Sequence, residues 1–243
     1  MVYMLLGTGF EETEAIAPLD LLRRAGVEVL TVGINGKTIY GGHGIGIEAD
    51  ITLEQVDLTN LDMVILPGGL GGVASVRACQ EAMDVLSFAW ENDKFVAAIC
   101  AGPTVLADLG ITQGKNATCY PGCENGMGNA RIHGDAPCIR DGNLITGASA
   151  GCAIPFGLAL VGALKGQAAA PLPFSSTRVL KRYPNTVSRS AMTPDTQELL
   201  RRENSFCPKR SISPTSRRLQ IHSGARSGSR DSPKRSHLTG SHG

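Results

Sequence analysis

The sequence lacks the segments that would carry a chain into or across a membrane. No apolar run is long enough to span a bilayer, and the short apolar run at residues 1–6 has neither the basic flank nor the cleavage site of a secretory signal. The seven cysteines are odd in number and scattered, which favours a reduced, cytoplasmic chain over a disulfide scaffold. Cys119 and Cys123 have no second pair or suitably spaced histidine, so we expect no metal site.

Charge is divided unevenly along the chain. Residues 167–243 carry 14 of the chain's 23 Lys and Arg residues but only 4 of its 22 Asp and Glu residues. Residues 1–166 therefore carry 9 basic and 18 acidic residues. A basic segment rich in Ser, Arg and Pro buries too little apolar surface to offset its ordering entropy. We therefore predict one domain over residues 1–166 and a disordered tail over residues 167–243. Lys/Arg clusters bind phosphate non-specifically, but the tail has no recognisable nucleic-acid-binding fold, so a solvated or artefactual segment is favoured.

Apolar runs alternate with helical patterns through the first 166 residues. Short continuous apolar runs predict buried strands, and apolar residues at helical spacing predict helices. The strands are expected at 2–6, 27–34, 63–66, 95–99 and 117–120, with a hairpin of 138–140 and 143–146 around Asp141-Gly142. The helices are expected at 14–25, 80–92, 103–109 and 152–164. This alternation is typical of a mainly parallel sheet covered on both faces. Sites in such sheets form at the carboxyl ends of strands, where loops 7–14, 67–72 and 100–103 are expected to meet.

Cys100 stands where a predicted strand turns sharply into a helix. The small residues Ala101 and Gly102 permit a tight turn, and Pro103 suits the first turn of a helix. This is the arrangement of a nucleophile elbow, in which the side chain projects from the sheet edge and the helix start favours a thiolate of lowered pKa. The alternative is a buried core cysteine, which is common for that residue type; the context favours a reactive thiol.

Two further loops carry candidate groups. Gly68 and Gly69 follow Pro67 after a predicted strand, where backbone N–H groups could approach a ligand oxygen, although such a sequence also makes ordinary turns. The run Gly-Phe-Glu-Glu-Thr-Glu at residues 9–14 places three carboxylates at a helix start. The helix dipole favours them there even without a function.

These segments together resemble the ThiJ/PfpI superfamily, within it the branch of the Parkinson-associated protein deglycase and its bacterial relatives. The resemblance rests on the 9–14 run, Arg-Arg-Ala-Gly at 23–26, Leu-Pro-Gly-Gly at 66–69, Ala-Ala-Ile-Cys-Ala-Gly-Pro at 97–103 and Cys-Tyr-Pro at 119–121. It extends from residue 1 to about residue 165. It implies a flavodoxin-like three-layer sandwich of the class I glutamine amidotransferase-like type, without a cofactor and assembled as a homodimer.

The resemblance also implies roles for individual residues. Cys100 matches the family nucleophile, and Glu14 matches the carboxyl group that hydrogen-bonds its sulfur and acts as acid and base. Backbone N–H groups of Gly68, Gly69 and Ala101 match those that hold an anion or oxyanion. Tyr120 matches a pocket-lining position where some relatives carry His and others Tyr. His43 matches a pocket-lining position where several relatives carry Arg.

The chain departs from its relatives in two places. Residues 148–152 read Ala-Ser-Ala-Gly-Cys where relatives often have Arg-Gly-Pro-Gly-Thr, so the anion-binding role of that Arg is lost. Relatives close with a short helix after the position of Gly166, whereas this chain continues into the basic tail. A lineage-specific extension and an out-of-frame translation both explain the tail, and the second is slightly favoured.

The implied activity is a cofactor-independent glyoxalase or deglycase acting on methylglyoxal-type dicarbonyls or on their early adducts with amines and thiols. The alternative is a redox sensor or chaperone that uses oxidation of Cys100 without turnover. A peptidase is disfavoured because Ala101 replaces the histidine that follows the nucleophile in that branch. A glutamine amidotransferase would need a late His-x-Glu, which is absent from the sequence.

Overall fold

The computed structural model describes residues 1–166. Its helices are α1 (Glu12–Arg24), α2 (Leu70–Arg77), α3 (Gln80–Glu91), α4 (Pro103–Asp108) and α5 (Ala153–Lys165). Its strands are β1 (Val2–Leu6), β2 (Val29–Gly33), β3 (Thr38–Tyr40), β4 (Gly46–Glu48), β5 (Ile51–Thr52), β6 (Met63–Leu66), β7 (Phe95–Ile99), β8 (Asn116–Ala117), β9 (Arg131–Ile132), β10 (Cys138–Asp141) and β11 (Leu144–Gly147). The predicted tail, residues 167–243, lies outside the described residues, so its state and the boundary at 166 stay predictions.

A seven-stranded sheet organises the domain. Its strand order is β10-β11-β7-β6-β1-β2-β5, and every pairing is parallel except that of β10 with β11. The antiparallel pair is the hairpin that Asp141-Gly142 predicts. Strands β3 and β4 form a separate antiparallel hairpin, and β8 and β9 a short parallel pair.

Alternate side chains of the buried strands supply two cores. In β1, Val2, Met4 and Leu6 pack on one face with residues of α1 and α5, whereas Tyr3 and Leu5 pack on the other with residues of α2, α3 and α4. Successive strand residues point to opposite faces, so a strand buried on both sides is apolar throughout. The layers are helix, sheet and helix, which confirms the predicted flavodoxin-like sandwich.

The structure differs from the sequence prediction at two elements. Helix α2 is missing from the sequence prediction because it begins with Leu-Gly-Gly, whose glycines disfavour helix. The predicted strand 117–120 pairs only as far as Ala117, because the backbone N–H of Tyr120 donates instead to the carbonyl oxygen of Cys100, 2.8 Å away. Among the described residues no helix is both long and apolar enough to cross a membrane.

Candidate active site

Cys100 lies at the carboxyl end of β7 in a strained turn. Its φ is +64°, a left-handed conformation that non-glycine residues rarely adopt and that often occurs at functional sites. Its N–H donates to the carbonyl oxygen of Gly147 at 2.9 Å, and α4 begins three residues later at Pro103. The structure therefore has the predicted elbow, with a half-buried thiol at its apex.

Glu14 brings a buried carboxyl group from α1 to the same place. The residue is fully buried, and its Oε2 accepts a hydrogen bond from the N–H of Gly68 at 2.9 Å. Its Oε1 has no hydrogen-bond partner among the described residues, and the neighbouring Cys100 thiol favours the ionised carboxyl group. The first turn of α1 thus places one carboxylate oxygen that accepts no hydrogen bond beside Cys100.

The acid and the thiol affect each other's ionisation. Burial raises the pKa of Glu14 to about 7, against the opposing hydrogen bonds from Cys100 and Gly68. Burial first, and then the negative charge of Glu14, raise the pKa of the Cys100 thiol to about 12. The predicted lowering of the thiol pKa is therefore wrong. Desolvation and a nearby carboxylate outweigh the N–H donors around the sulfur.

The three predicted backbone donors divide between the two groups. The nearby N–H groups of Gly69 and Ala101 favour a negative charge on the sulfur and oppose the rise in the pKa of Cys100, whereas the N–H of Gly68 donates to Glu14. That all three groups hold one anion therefore stays a prediction, with the N–H of Gly68 donating to Glu14 in this structure. Two donors remain for an oxygen that develops next to the sulfur.

Glycine is required at both positions of the loop after β6. A Cβ on Gly68 would lie 2.5 Å from Oε2 of Glu14 and 2.7 Å from Cβ of Cys100. Gly69 has a φ of +87°, and a Cβ there would lie 2.5 Å from both the backbone nitrogen of Glu11 and the carbonyl oxygen of Gly9. Absence of these Cβ atoms lets the loop pack directly against the acid and the nucleophile.

Tyr120 and His43 occupy different places relative to the pair. Tyr120 is bound through its backbone to Cys100, and its side chain is exposed. His43 lies in the turn between β3 and β4, with its side chain 73% exposed, and its Nδ1 is 2.9 Å from Oε2 of Glu12. Its polar contacts are thus with the start of α1, and the hydrogen bond to Glu12 raises its pKa.

The sequence of the domain is similar to sequences of known proteins. The family model described as DJ-1/PfpI family matches residues 1–163. The chain belongs to the DJ-1/PfpI family. Protein dj-1beta of Drosophila melanogaster is 37% identical over 166 residues, 68% of this chain and 89% of that protein. A deglycase of Pyrococcus horikoshii is 34% identical over 146 residues, 60% of this chain and 87% of that protein.

Solved structures of family members superpose on the domain. The crystal structure of Drosophila melanogaster DJ-1beta has a TM-score of 0.67 at 36% identity, covering 70% of this chain and 92% of that one. A cysteine-to-alanine mutant of a DJ-1 superfamily protein from Salmonella typhimurium has a TM-score of 0.66 at 32% identity, with the same coverage. The predicted superfamily and fold are therefore confirmed.

In this DJ-1/PfpI member, Glu12 has a positioning role that the sequence did not reveal. The residue is buried, and its Oε1 accepts the N–H of His43 at 2.8 Å while its Oε2 meets the ring of that residue. Burial opposes ionisation, but these hydrogen bonds hold the pKa of Glu12 at about 2. Gly41 has no Cβ to collide with this carboxyl group. Glu12 thus fixes the β3–β4 turn against the start of α1.

Glu11, Glu12 and His43 are also the described residues whose ligand atoms could surround a cation. These atoms lie within 4.8 Å of one another. The hydrogen bonds between Glu12 and His43 already account for the arrangement, and acidic groups at a helix start are favoured by the helix dipole alone.

Proposed function

We propose that this protein converts 2-oxoaldehydes such as methylglyoxal to hydroxy acids, or removes them from early adducts, with Cys100 as nucleophile and Glu14 as acid and base. The observation that carries the proposal is the contact between a half-buried thiol on a strained elbow and a buried carboxyl group of pKa about 7. Such an acid can gain and lose a proton at neutral pH, as general acid–base catalysis requires.

The first step is addition of the thiol to the aldehyde. Because the thiol pKa is raised to about 12, a free thiolate is rare at neutral pH. The Glu14 carboxylate would take the thiol proton while the sulfur–carbon bond forms, which removes the need for a preformed thiolate. N–H groups of Gly69 and Ala101, which already face the sulfur, are placed to stabilise the developing oxyanion. Glu14 would then return the proton to this oxygen, which gives the hemithioacetal and leaves the carboxylate free to act as a base.

The second step moves hydrogen within the substrate. Glu14 would remove the proton from the former aldehyde carbon and return it to the neighbouring carbon, which leaves a hydroxy-acyl thioester on Cys100. Water then cleaves the sulfur–carbon bond and releases the hydroxy acid. One carbon is oxidised as its neighbour is reduced, so the conversion of methylglyoxal and water to lactate needs no external oxidant or cofactor.

Deglycation would use the same groups on a different starting material. In an early adduct the aldehyde carbon carries a hydroxyl group together with the amine or thiol. Cys100 would displace that amine or thiol, which leaves with the thiol proton passed on by Glu14, and the hemithioacetal remains. Relatives bearing the name deglycase support this version. Both versions share the acyl-enzyme intermediate and therefore the requirement for Cys100.

Redox sensing is the second candidate because one observation favours it. The N–H groups of Gly69 and Ala101 that face the sulfur would equally donate hydrogen bonds to the oxygens of a cysteine sulfinate. In this version Cys100 is oxidised by a peroxide and no hydroxy acid is formed.

A homodimer and a cytoplasmic location are the accompanying proposals. Three exposed apolar side chains, Ile16, Tyr40 and Ile45, lie on α1 and on the β3–β4 hairpin, and a second copy of the chain would cover them. The six cysteines of the described residues are all free thiols, which suits a reducing compartment.

The test is lactate production from methylglyoxal by the full chain, compared with Cys100→Ser and with Cys138→Ser as a matched thiol control. We expect turnover by the wild type and by Cys138→Ser, and a loss of at least about 100-fold in Cys100→Ser, in line with the loss of a covalent nucleophile. Equal turnover in Cys100→Ser would reject the nucleophile. Peroxide oxidation of Cys100 without any hydroxy acid from the wild type would favour redox sensing.

A further inference from the structure

Two exposed apolar side chains lie next to the nucleophile. Leu70 is 81% exposed and directly follows Gly69, whose N–H faces the sulfur of Cys100. Tyr120 is 49% exposed, and its N–H bonds the carbonyl oxygen of Cys100 at 2.8 Å. Two separate segments whose backbones adjoin Cys100 therefore each carry an exposed apolar side chain.

Leu70 is held in place by the elements on either side of it. It opens α2, and at the far end of that helix Arg77 bonds Asp108 at 2.6 Å and Thr104 at 3.0 Å, both on α4. The Thr104 hydroxyl in turn donates to the carbonyl oxygen of Ala101 at 2.7 Å. Helix α2 is thus linked by hydrogen bonds to Ala101, which follows Cys100. These bonds fix the backbone of Leu70 relative to Cys100.

The first turn of α2 is equally constrained. Gly72 is buried, and a Cβ on it would lie 2.7 Å from the Cα of Phe10, so the backbone of the helix packs directly on the loop before α1. The backbone of Leu70 is thus held in place while its side chain stays mostly exposed. An occupant that covers this side chain would remove its apolar area from water.

We propose that Leu70 and Tyr120 form an apolar subsite that selects 2-oxoaldehydes carrying an aryl or branched alkyl group. This proposal rests on the function proposed above and names its substrate class. With the aldehyde carbon at Cys100 and its oxygen toward the N–H donors, the remaining substituent would extend toward the exposed side chains of Leu70 and Tyr120. The methyl group of methylglyoxal covers little of their surface, whereas a phenyl ring covers much more.

The experiment compares kcat/KM for phenylglyoxal, followed as mandelate, with kcat/KM for methylglyoxal, followed as lactate. One methylene in an apolar pocket changes specificity by roughly 10-fold or more, so Leu70→Ser is expected to lower the phenylglyoxal-to-methylglyoxal ratio by about 10-fold. Leu70→Met should retain most of the ratio because it restores apolar area. Ala74→Ser, at an exposed position on the same helix, is the matched control and should leave the ratio unchanged.

A second readout does not depend on turnover. The rate at which N-phenylmaleimide labels Cys100 is compared with the rate at which N-ethylmaleimide labels it. The ratio of the first rate to the second should fall in Leu70→Ser but not in Ala74→Ser. The subsite would be overturned if the kcat/KM ratio and the labelling ratio both stayed unchanged in Leu70→Ser. It would also be overturned if the variant lost activity equally with both substrates and labelling equally with both maleimides. A labelling ratio that falls while no hydroxy acid forms from either substrate would retain the apolar subsite and reject the enzymatic function.

Discussion

The two ends of the central sheet differ in what they bury. At the carboxyl end the loops after β1, β6 and β7 enclose Glu14 and Cys100, a fully buried acid against a half-buried thiol. At the amino end a cavity of about 610 Å³ opens among the strand starts, lined by Met1, Val2, Gly26, Val27, Glu28, Asp62, Asp93, Lys94, Phe95, Ala163, Leu164 and Lys165. No cysteine or histidine is among these described lining residues, and its charged groups are close to solvent.

The difference teaches that volume alone does not locate the chemistry of this fold. Free space at the amino end costs little, because its charges remain hydrated. The carboxyl end instead holds a strained φ at Cys100, a desolvated carboxyl group and glycines at close contacts. Strained and desolvated groups of this kind lower stability, and they persist only because the rest of the domain enforces them. Parallel strands direct their loops to this end, so the constraint and the reactive groups coincide.

The largest loss is expected from filling the space between the acid and the nucleophile. A methyl group in Gly68→Ala would collide with both Glu14 and Cys100, so we expect turnover to fall at least about 100-fold, as for displaced catalytic groups, and the free energy of unfolding to fall by about 1–3 kcal/mol. Gly134→Ala is the control, because its Cβ would meet nothing within 4 Å. Steady-state rates and urea unfolding measure both effects, and a Gly68→Ala variant that matches the control would remove the steric argument.

The second prediction concerns the stability cost of the buried acid. The pKa of Glu14 is raised from 4.5 to about 7, so folding favours its protonated form. Its contribution to stability is complete below pH 4.5 and is lost as the pH rises to about 7, which amounts to ~3 kcal/mol from the shift. Glu14→Gln should therefore melt higher than the wild type at pH 8.

The difference between these two melting temperatures should shrink toward pH 4.5, where the wild-type acid is neutral. Thermal unfolding of both proteins across this pH range measures it. A gap that stays constant with pH would mean that Glu14 does not titrate with a raised pKa.

The smallest effect is expected at the amino end. Lys94 lines the cavity there and lies at the end of the sheet remote from Cys100, so Lys94→Ala should leave kcat/KM for methylglyoxal within about twofold of the wild type, the range of a neutral surface change. A loss above tenfold would show that the two ends are coupled, and the contrast between them would then fail.

The sequence predicts the elbow well because its signals are local. A continuous apolar strand, two small residues and a proline lie within nine positions, from Phe95 to Pro103, and the structure follows them residue by residue. The flanking strands are equally clear, because burial on both faces leaves an uninterrupted apolar run.

The features that the sequence did not predict depend on tertiary contacts. Glu14 was assigned through the family resemblance, since three carboxylates at a helix start give no sign of which one is buried. The start of α2 and its exposed Leu70 were not predicted because two glycines follow that leucine. The direction of the thiol pKa was wrong because the helix start and N–H donors are visible in sequence, whereas desolvation of Cys100 is not.

The most direct test of the acid–nucleophile pair separates thiol reactivity from turnover in Glu14→Gln. The variant removes the negative charge that raises the thiol pKa, so alkylation of Cys100 by iodoacetamide at pH 8, followed by peptide mass spectrometry, should become faster. A decrease of one pKa unit would give about 10-fold more thiolate. Hydroxy-acid formation should fall at least about 100-fold in the same protein, because the proton shuttle is lost. Faster alkylation with lost turnover is the predicted result. Full turnover in Glu14→Gln would contradict the assignment of Glu14 as the acid and base for Cys100, and slower alkylation would contradict the effect of its charge on the thiol pKa.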